Sequence, residues 1–227
     1  PRSHPRYESL RRRETLVQAW RDGIVVPEGL IAHGRGEAFD YILGETTIPP
    51  ALVAEKAAAA FLLRANRPVI SVNGNVAALA AKEVVRLANA VPATIEVNLF
   101  HRTEARVRKV VQRLEVVGGQ GVLGVRPDTR IPGLDSKRAL IHRRGIGSAD
   151  VVLVPLEDGD RAEALVAMGK TVISVDLNPF SRTTLAAQVP IVDDVNRSLV
   201  QLRLALRANR RETAEADRII RTYSKAE

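Results

Sequence analysis

Hydrophobic and polar positions divide the chain into alternating helical and extended segments. Apolar residues at helical spacing predict helices over residues 8–22, 51–65, 76–90, 101–115, 160–168 and 195–206. Short, continuous, β-branched runs predict strands at residues 69–73, 94–97, 150–155, 171–175 and 190–192. Strands that alternate with helices are typical of an α/β protein, so we expect a Rossmann-like parallel sheet with helices on both faces.

The pattern predicts one α/β domain over residues 1–227. Within it we expect a helical N-terminal part with an anion-binding loop at residues 1–65, a Rossmann-like core at 66–208 and a helical tail at 209–227. No internal repeat or linker divides the chain. The tail is charged but carries apolar side chains that could dock on the body or on a partner subunit, namely Ile219, Ile220 and Tyr223.

Composition narrows the setting of the protein. Hydrophobic residues make up 45% of the chain, which is enough for a sizeable core, yet no apolar run reaches the 18 residues of a membrane span. We therefore expect no membrane partner. The polar, basic residues 1–13 do not resemble a secretory signal. The absence of cysteine excludes disulfide and thiolate chemistry and fits a cytoplasmic location.

The formal net charge of +8 raises the question of nucleic-acid binding. The cations are spread over many predicted helices, and one tryptophan, three tyrosines and four phenylalanines are all that could stack on bases. No zinc pattern, aromatic RNA-binding motif or basic tail accompanies them. We interpret the charge as a preference for small anions, and we expect no nucleic-acid partner.

A glycine-rich segment at residues 32–41 combines His33, Arg35 and two carboxylates with Gly34 and Gly36. Glycine lets a backbone approach a ligand closely, and a guanidinium offers a planar fork of donors to a phosphate or carboxylate. The segment is therefore a candidate anion-binding loop. A glycine-rich turn with a solvated arginine explains the spacing equally well.

Two predicted strands end in polar residues, where parallel sheets bind ligands. After the first strand, the Asn73-Gly74-Asn75 segment opens onto a helix whose first N–H groups attract anions. Alternatively, Asn75 caps that helix and Gly74 makes the turn, which leaves Asn73 unexplained. We favour a binding site.

The strand at 171–175 runs into Asp176-Leu177-Asn178-Pro179. A carboxylate in this position can accept hydrogen bonds from ribose hydroxyls, and Arg182 and Thr183 could reach phosphates. An Asx-type turn broken by Pro179 is the alternative. The chain has neither the glycine fingerprint of dinucleotide-binding folds nor a phosphate-loop motif ending in Gly-Lys-Ser/Thr.

A stripe of cations lies on the predicted helix at 101–115. A solvated face is the preferred interpretation for Lys109 and Arg113, whereas Arg102 begins the helix beside a strand end and could meet a phosphate. Asp158-Gly159-Asp160 either caps the next helix or holds a metal or an amine. The four histidines lack the spacing of metal ligands.

Several long motifs, in register from the N-terminus to about residue 198, make the chain resemble the archaeal 4-phosphopantoate–β-alanine ligases, also called phosphopantothenate synthetases. The resemblance rests on Ser3–Leu10, His33–Tyr41, Gly44-Glu45, Ile70–Asn75, Asp150–Leu165 and Ser174–Pro179.

The resemblance implies a homodimeric enzyme of coenzyme A biosynthesis that joins (R)-4-phosphopantoate to β-alanine and converts ATP to AMP and diphosphate. Mg²⁺ is expected with the nucleotide, with no metal-binding side chain assigned. Carried over by motif, the ATP contacts fall on Arg13, Arg35, Asp176, Leu177, Asn178, Arg182, Thr183, Asp194 and Val195. Arg11 and Arg12 adjoin Arg13, which leaves the choice among them open.

For phosphopantoate we expect contacts from Asn73, Asn75 and Arg102. An acyl-adenylate mechanism needs positioning and charge neutralisation more than a nucleophilic side chain, so no catalytic residue is assigned. Two other classes of protein stay open, a noncatalytic nucleotide-binding protein with a Rossmann-like fold and a basic nucleic-acid-binding module. The missing glycine fingerprint disfavours an oxidoreductase.

Overall fold

The structure is a computed structural model that describes residues 2–4, 6–211 and 213–225. Its helices are α1 (Tyr7–Arg21), α2 (Pro27–Leu43), α3 (Pro49–Arg64), α4 (Gly74–Ala90), α5 (Glu104–Val116), α6 (Gly159–Ala167), α7 (Arg182–Ala186), α8 (Val195–Arg211) and α9 (Thr213–Thr222). Its strands are β1 (Pro68–Val72), β2 (Thr94–Val97), β3 (Thr129–Arg130), β4 (Leu140–Ile141), β5 (Val151–Pro155), β6 (Thr171–Val175) and β7 (Val189–Ile191).

Five strands form one parallel sheet in the order β2-β1-β5-β6-β7. Ile70 of β1 is in register with Ile95 of β2 on one side and with Leu153 of β5 on the other. The chain therefore starts at β1, builds outward to β2, and then returns to continue from β5 in the other direction. This reversal between β1 and β5 is the position at which doubly wound sheets open a crevice for ligands.

Each face of the sheet is covered, which confirms the predicted fold class. On one face, Leu153 and Ile173 pack in a large cluster with apolar side chains of α3, α4, α5 and α8. On the other, Val152 and Val172 pack against Leu165 of α6 and against the segment 131–149. The strands are apolar on both faces because both faces are buried.

The predicted anion loop is wrong as a backbone conformation. Gly34 and Gly36 lie inside α2, which begins with Pro27 in its first turn and ends where Gly44 adopts a left-handed φ of 85°. A glycine inside a helix costs about 1 kcal/mol relative to alanine, which is small enough for neighbouring contacts to outweigh. Arg35 is thus presented by a rigid helix rather than by a flexible turn.

The long segment between α5 and β5, predicted to be irregular, contains a two-stranded antiparallel ladder. Thr129 pairs with Ile141 and Arg130 with Leu140. Strands of two residues are too short for a period-2 pattern, so the sequence could not indicate them. In the tail, Ile219 and Tyr223 pack against the main core, which confirms docking on the body for these two side chains.

Glu55 of α3 is a buried carboxyl group that lies near Ser198, Asp193 and Arg197. Burial, reinforced by the negative charge of Asp193, raises its pKa to about 8, although Ser198 and Arg197 oppose the shift. The side chain is therefore protonated in the folded protein at neutral pH.

We expect the free energy of unfolding to fall as the pH rises from about 4.5 to about 8, because the folded state holds a proton on Glu55 that the unfolded chain releases. The slope from this group approaches about 1.4 kcal/mol per pH unit. Glu55→Gln should remove this part of the slope when urea unfolding is measured over a series of pH values. Glu115→Gln, a change at an exposed position of α5, should leave the slope unchanged. An unchanged slope in Glu55→Gln would contradict the burial of an ionisable group here.

Candidate functional site

The carboxyl ends of the five parallel strands meet at one edge of the sheet, which we call the carboxyl edge. Most residues predicted for nucleotide binding follow β6 and β7, with Arg13 on α1 and Arg35 on α2, and the residues predicted for phosphopantoate follow β1 and β2. Strand β5 lies between these two groups. The order of the strands therefore divides the candidate site into a nucleotide half and an acid half.

Two successive Asx turns follow β6. Asp176 Oδ1 accepts the N–H of Asn178 at 2.9 Å, and Asn178 Oδ1 accepts the N–H of Phe180 at 2.9 Å. This is the turn that the sequence offered as the alternative to a binding site. Burial raises the pKa of Asp176, and hydrogen bonds from Ser181 and Asn178 and the charge of Arg35 oppose that rise.

Helix α2 brings Arg35 towards the end of β6. A β-carbon placed on Gly36 would lie 3.7 Å from a methyl carbon of Leu177, so α2 packs against this turn at Gly36. Arg35 is exposed and acts electrostatically on Asp176. Arg35 and the Asp176 turn, 141 positions apart, thus share one corner of the carboxyl edge.

Helix α7 places Arg182 and Thr183 differently. Arg182 is mostly exposed and forms an ion pair with Glu163 of α6, with 2.6 Å between Arg182 Nη2 and Glu163 Oε2. Thr183 is buried, and its hydroxyl donates to the main-chain oxygen of Glu157 at 2.8 Å. Thr183 therefore links the end of β6 to the end of β5.

Asp194 caps helix α8 at the end of β7. Its Oδ1 accepts the N–H groups of Asn196 at 3.0 Å and Arg197 at 3.2 Å, and Val195 is the first residue of the helix. The other oxygen, Oδ2, lies 3.2 Å from Nη1 of Arg12. The side chain is thus shared between the helix start and α1.

A larger ion-pair network, not anticipated from the sequence, surrounds this position. Arg197 Nη2 lies 2.5 Å from Asp40 Oδ1 and 2.6 Å from Asp193 Oδ1. Burial tends to lower the pKa of Arg197, but the hydrogen bonds and charges of the two carboxylates outweigh it and raise the pKa. Thr47 donates to Asp193 Oδ2 at 2.6 Å. The network joins α2 to the start of α8.

The structure separates the adjacent arginines of α1. Arg12 points to Asp194 at the carboxyl edge, whereas Arg13 makes a bidentate contact with Glu37, with Nη2 and Nε at 2.7 and 2.8 Å from Oε2. Glu37 also accepts a hydrogen bond from Ser9. Arg13 lines a pocket of about 380 Å³ between α1 and α2, together with His33, whose pKa burial lowers.

In the acid half, Asn73 is the N-cap of α4. Its Oδ1 accepts the N–H of Val76 at 3.0 Å, and its Nδ2 donates to the main-chain oxygens of Pro155 at 3.2 Å and Leu156 at 2.8 Å. The capping alternative therefore applies to Asn73. Asn75 instead donates to the main-chain oxygen of Gly29 at 2.7 Å.

Arg102 lies at the other end of the acid half, before the N-cap Thr103 of α5, so the prediction that it begins the helix is wrong. Arg102 donates to the main-chain oxygen of Gly124, and Lys137 donates to the main-chain oxygen of Arg102 at 3.3 Å. Lys109 is not merely solvated, since its Nζ donates to the main-chain oxygen of Asp22 at 2.8 Å. Arg113 is exposed, as expected.

A buried ion cluster, which we call the β5 cluster, lies between the two halves and consists of Arg138, Glu157 and Arg161. The Glu157 carboxylate contacts both guanidinium groups, and all three side chains are almost completely buried. Burial lowers the pKa of each arginine to about 10. Local spacing does not indicate these pairs, because Arg138 comes from the irregular segment and Glu157 follows the end of β5.

Two findings concern the described residues as a whole. No group of three or more His, Cys, Asp or Glu side chains is placed to hold a metal ion. Among the helices described, none has the length and apolarity to cross a membrane. A separate cavity of about 610 Å³, lined mainly by arginines of α4 and α8, lies towards the last turn of α4 and thus away from the carboxyl edge.

Comparison with known proteins gives a consistent result. A family model described as phosphopantothenate/pantothenate synthetase matches residues 50–227. Three relatives are named 4-phosphopantoate–β-alanine ligase. The Methanospirillum hungatei protein is 58% identical over 89% of this chain and 82% of its own length. The Thermococcus kodakarensis protein is 55% identical over 87% and 76%, and the Methanosarcina mazei protein 52% identical over 98% and 88%.

We expect Asn73→Ala to lower the free energy of unfolding by about 1–3 kcal/mol, because it removes the cap of α4 and the amide donor to the main-chain oxygens of Pro155 and Leu156 at the end of β5. Asn89→Ala, in the exposed last turn of the same helix, should change it by less than about 0.5 kcal/mol. Urea unfolding followed by circular dichroism measures both. Equal effects of the two substitutions would contradict a bridging role of Asn73.

Proposed function

Because the chain belongs to the phosphopantothenate/pantothenate synthetase family, we propose that it is a 4-phosphopantoate–β-alanine ligase. The observation that carries the proposal is the 52–58% identity, over 87–98% of this chain, to the three relatives that bear this name. A carboxyl edge that gathers arginines, helix starts and strand-end polar groups supports it, since the reactants are anions or zwitterions.

The reaction we propose uses ATP in two steps. A carboxylate oxygen of 4-phosphopantoate attacks the α-phosphorus of ATP, and diphosphate leaves. The amine nitrogen of β-alanine then attacks the acyl carbon of the adenylate, AMP leaves with the electron pair of the broken C–O bond, and the nitrogen loses a proton. The protein contributes by holding the reactants close together and neutralising their charge.

The proposal assigns ATP to the nucleotide half. Arg35 and Arg182 would neutralise phosphate charge, and Asp176 with the adjoining Leu177 and Asn178 would contact the ribose and base. The start of α8 at Asp194 and Val195 completes this side, and Thr183 would contribute from α7. Arg13 is also proposed, although its bidentate contact with Glu37 means that it would bind through its remaining donors.

We assign phosphopantoate to the acid half, at Arg102 and the start of α4 with Asn73 and Asn75. The amide groups of both asparagines already bond to main-chain atoms, so they would act mainly by holding the N–H groups of the helix start in place. The ends of β1 and β6 are two strand spacings apart, or about 10 Å, which suits two reactants that must meet above β5.

Mg²⁺ enters this proposal as part of the nucleotide substrate. Triphosphate oxygens and water are ligands that the ion prefers, so the protein would need to supply few or none. We also propose that the enzyme works in the cytoplasm, where ATP is available.

The two alternative functions would give different binding and turnover in solution. A noncatalytic nucleotide-binding protein would bind ATP and release no AMP when both acids are present. A nucleic-acid-binding protein would bind DNA or RNA with an affinity that falls steeply with salt, and it would not distinguish among small acids.

AMP release from ATP, Mg²⁺, 4-phosphopantoate and β-alanine tests the proposal, and omission of either acid should abolish sustained turnover. We expect Arg35→Ala to lower kcat/KM for ATP by roughly tenfold or more, the equivalent of one hydrogen bond to a charged group. Arg113→Ala, an exposed arginine of α5, should stay within about twofold. Comparable activity in the two variants would show that the nucleotide lies elsewhere.

We further propose that the protein is a homodimer that uses α2 and α3. Five large hydrophobic side chains are exposed on these two helices, namely Ile31, Tyr41, Ile42, Leu52 and Val53. So many exposed hydrophobic side chains are unusual on a surface that contacts only water. A two-fold symmetric dimer is the commonest assembly that buries such a surface.

Ile42→Glu should shift the protein from dimer to monomer in sedimentation velocity, because it places a charge in the apolar contact. Ile42 is 80% exposed. Val116→Glu is the matched control, since Val116 is 78% exposed but lies on α5, and it should leave the mass unchanged. A wild-type monomer at micromolar concentration, or an Ile42→Glu dimer as stable as the wild type, would contradict this interface.

A further inference from the structure

Asp158 occupies the N-cap position of α6 without capping the helix. Its main chain is extended, with φ −84° and ψ 139°, but its side chain makes no hydrogen bond to the first turn. An aspartate in this position usually contributes about 1 kcal/mol by such a bond. Here Oδ2 accepts from Nε of Arg138 at 2.8 Å instead, so the carboxylate is held away from the helix.

The loop that carries Asp158 is strained and is held at several points. Leu156 has a left-handed φ of 54°, which a branched side chain rarely adopts. The N–H of Leu156 donates to Val175 at 2.9 Å, its main-chain oxygen accepts from Asn73, and the next main-chain oxygen accepts from Thr183. Strained residues persist where the surrounding structure fixes them, and they are concentrated at functional sites.

The β5 cluster holds the carboxylate of Asp158 in place. Arg138 uses its three nitrogens on three different groups, which are Asp158, Glu157 and the main-chain oxygen of Asn98 after β2. Glu157 is held in turn by Arg161. Since Arg138 is buried, the direction of Asp158 is set by a rigid neighbour rather than by solvent.

Asp158 also lies where it could contact a bound reactant, and its side chain is exposed enough to do so. It follows β5, between the nucleotide half and the acid half of the carboxyl edge. Its side chain is 42% exposed, and no donor among the described residues bonds to Oδ1. An anionic oxygen that is fixed, accessible and without a hydrogen bond suits a cationic group and repels phosphates.

We propose that the Asp158 carboxylate binds the ammonium group of β-alanine and holds it above β5, between the other two reactants. This inference rests on the proposed function, and it names the group that selects the one reactant with a positive charge. Arg138 and Glu157 are positioning residues for Asp158, and Asn73 and Thr183 hold its loop.

The test replaces the charge and keeps the shape, with Asp158→Asn in the full chain. We expect the KM for β-alanine to rise by about tenfold or more, the loss of one hydrogen bond to a charged group, with the KM values for ATP and 4-phosphopantoate within about twofold of wild type. Hydroxylamine, which is uncharged at neutral pH, traps activated acyl groups as hydroxamates. Its reaction with ATP and 4-phosphopantoate should continue in Asp158→Asn, which also shows that the variant is folded.

Asp160→Asn is the matched control, because Asp160 lies in the first turn of the same helix, and it should leave all three KM values unchanged. The inference is wrong if Asp158→Asn leaves the KM for β-alanine unchanged, if it raises the KM for 4-phosphopantoate as much, or if it abolishes hydroxamate formation as well. If the wild-type protein forms neither hydroxamate nor AMP, the proposed function itself is wrong. That result differs from a failure of the Asp158 inference, in which the wild-type protein is active and the Asp158→Asn variant keeps its KM for β-alanine.

Discussion

The side chain of Asn73 joins the two parts of the sheet where the strand order reverses. It caps α4 after β1 and donates to two main-chain oxygens after β5. The bond to Leu156 helps to hold that residue in its left-handed conformation, which a branched side chain keeps only where its surroundings fix it.

Arginine side chains form most of the ion pairs that connect structural elements at the carboxyl edge. Arg138 and Arg161 enclose one carboxylate in the β5 cluster, and Arg12 and Arg197 connect α1, α2 and β7 through three aspartates. Breaking the buried pairs of the β5 cluster would leave an uncompensated charge, so these contacts disfavour other arrangements of the elements that carry them. The basic composition thus serves internal pairing as well as the anionic reactants.

The proposed chemistry depends on keeping two anions apart until the bond between them can form. Strand β5 separates the nucleotide half from the acid half, and the only accessible group in the β5 loop that we assign to a reactant is negatively charged Asp158. Arg35 and Arg102, at the two sides, supply positive charge where phosphates are expected. Arg35 and Arg102 thus lie on either side of Asp158 along the edge, and Asp176 and Asp194 add negative charge within the nucleotide half.

The sequence by itself determined the parallel sheet, its helices on both faces and the strand ends at which we propose the site, because hydrophobic periodicity is a local property and the ends of parallel strands share an edge. It also indicated the family through long motifs. Only the tertiary structure decided that Gly34 and Gly36 belong to a helix, that Arg12 and not Arg13 reaches Asp194, and that Arg138 pairs with Glu157. Neighbouring side chains on a helix point about 100° apart, so adjacent arginines of α1 reach different partners once the helix is packed. An ion pair forms between charges that the packing brings together, and local sequence spacing does not predict which charges those are.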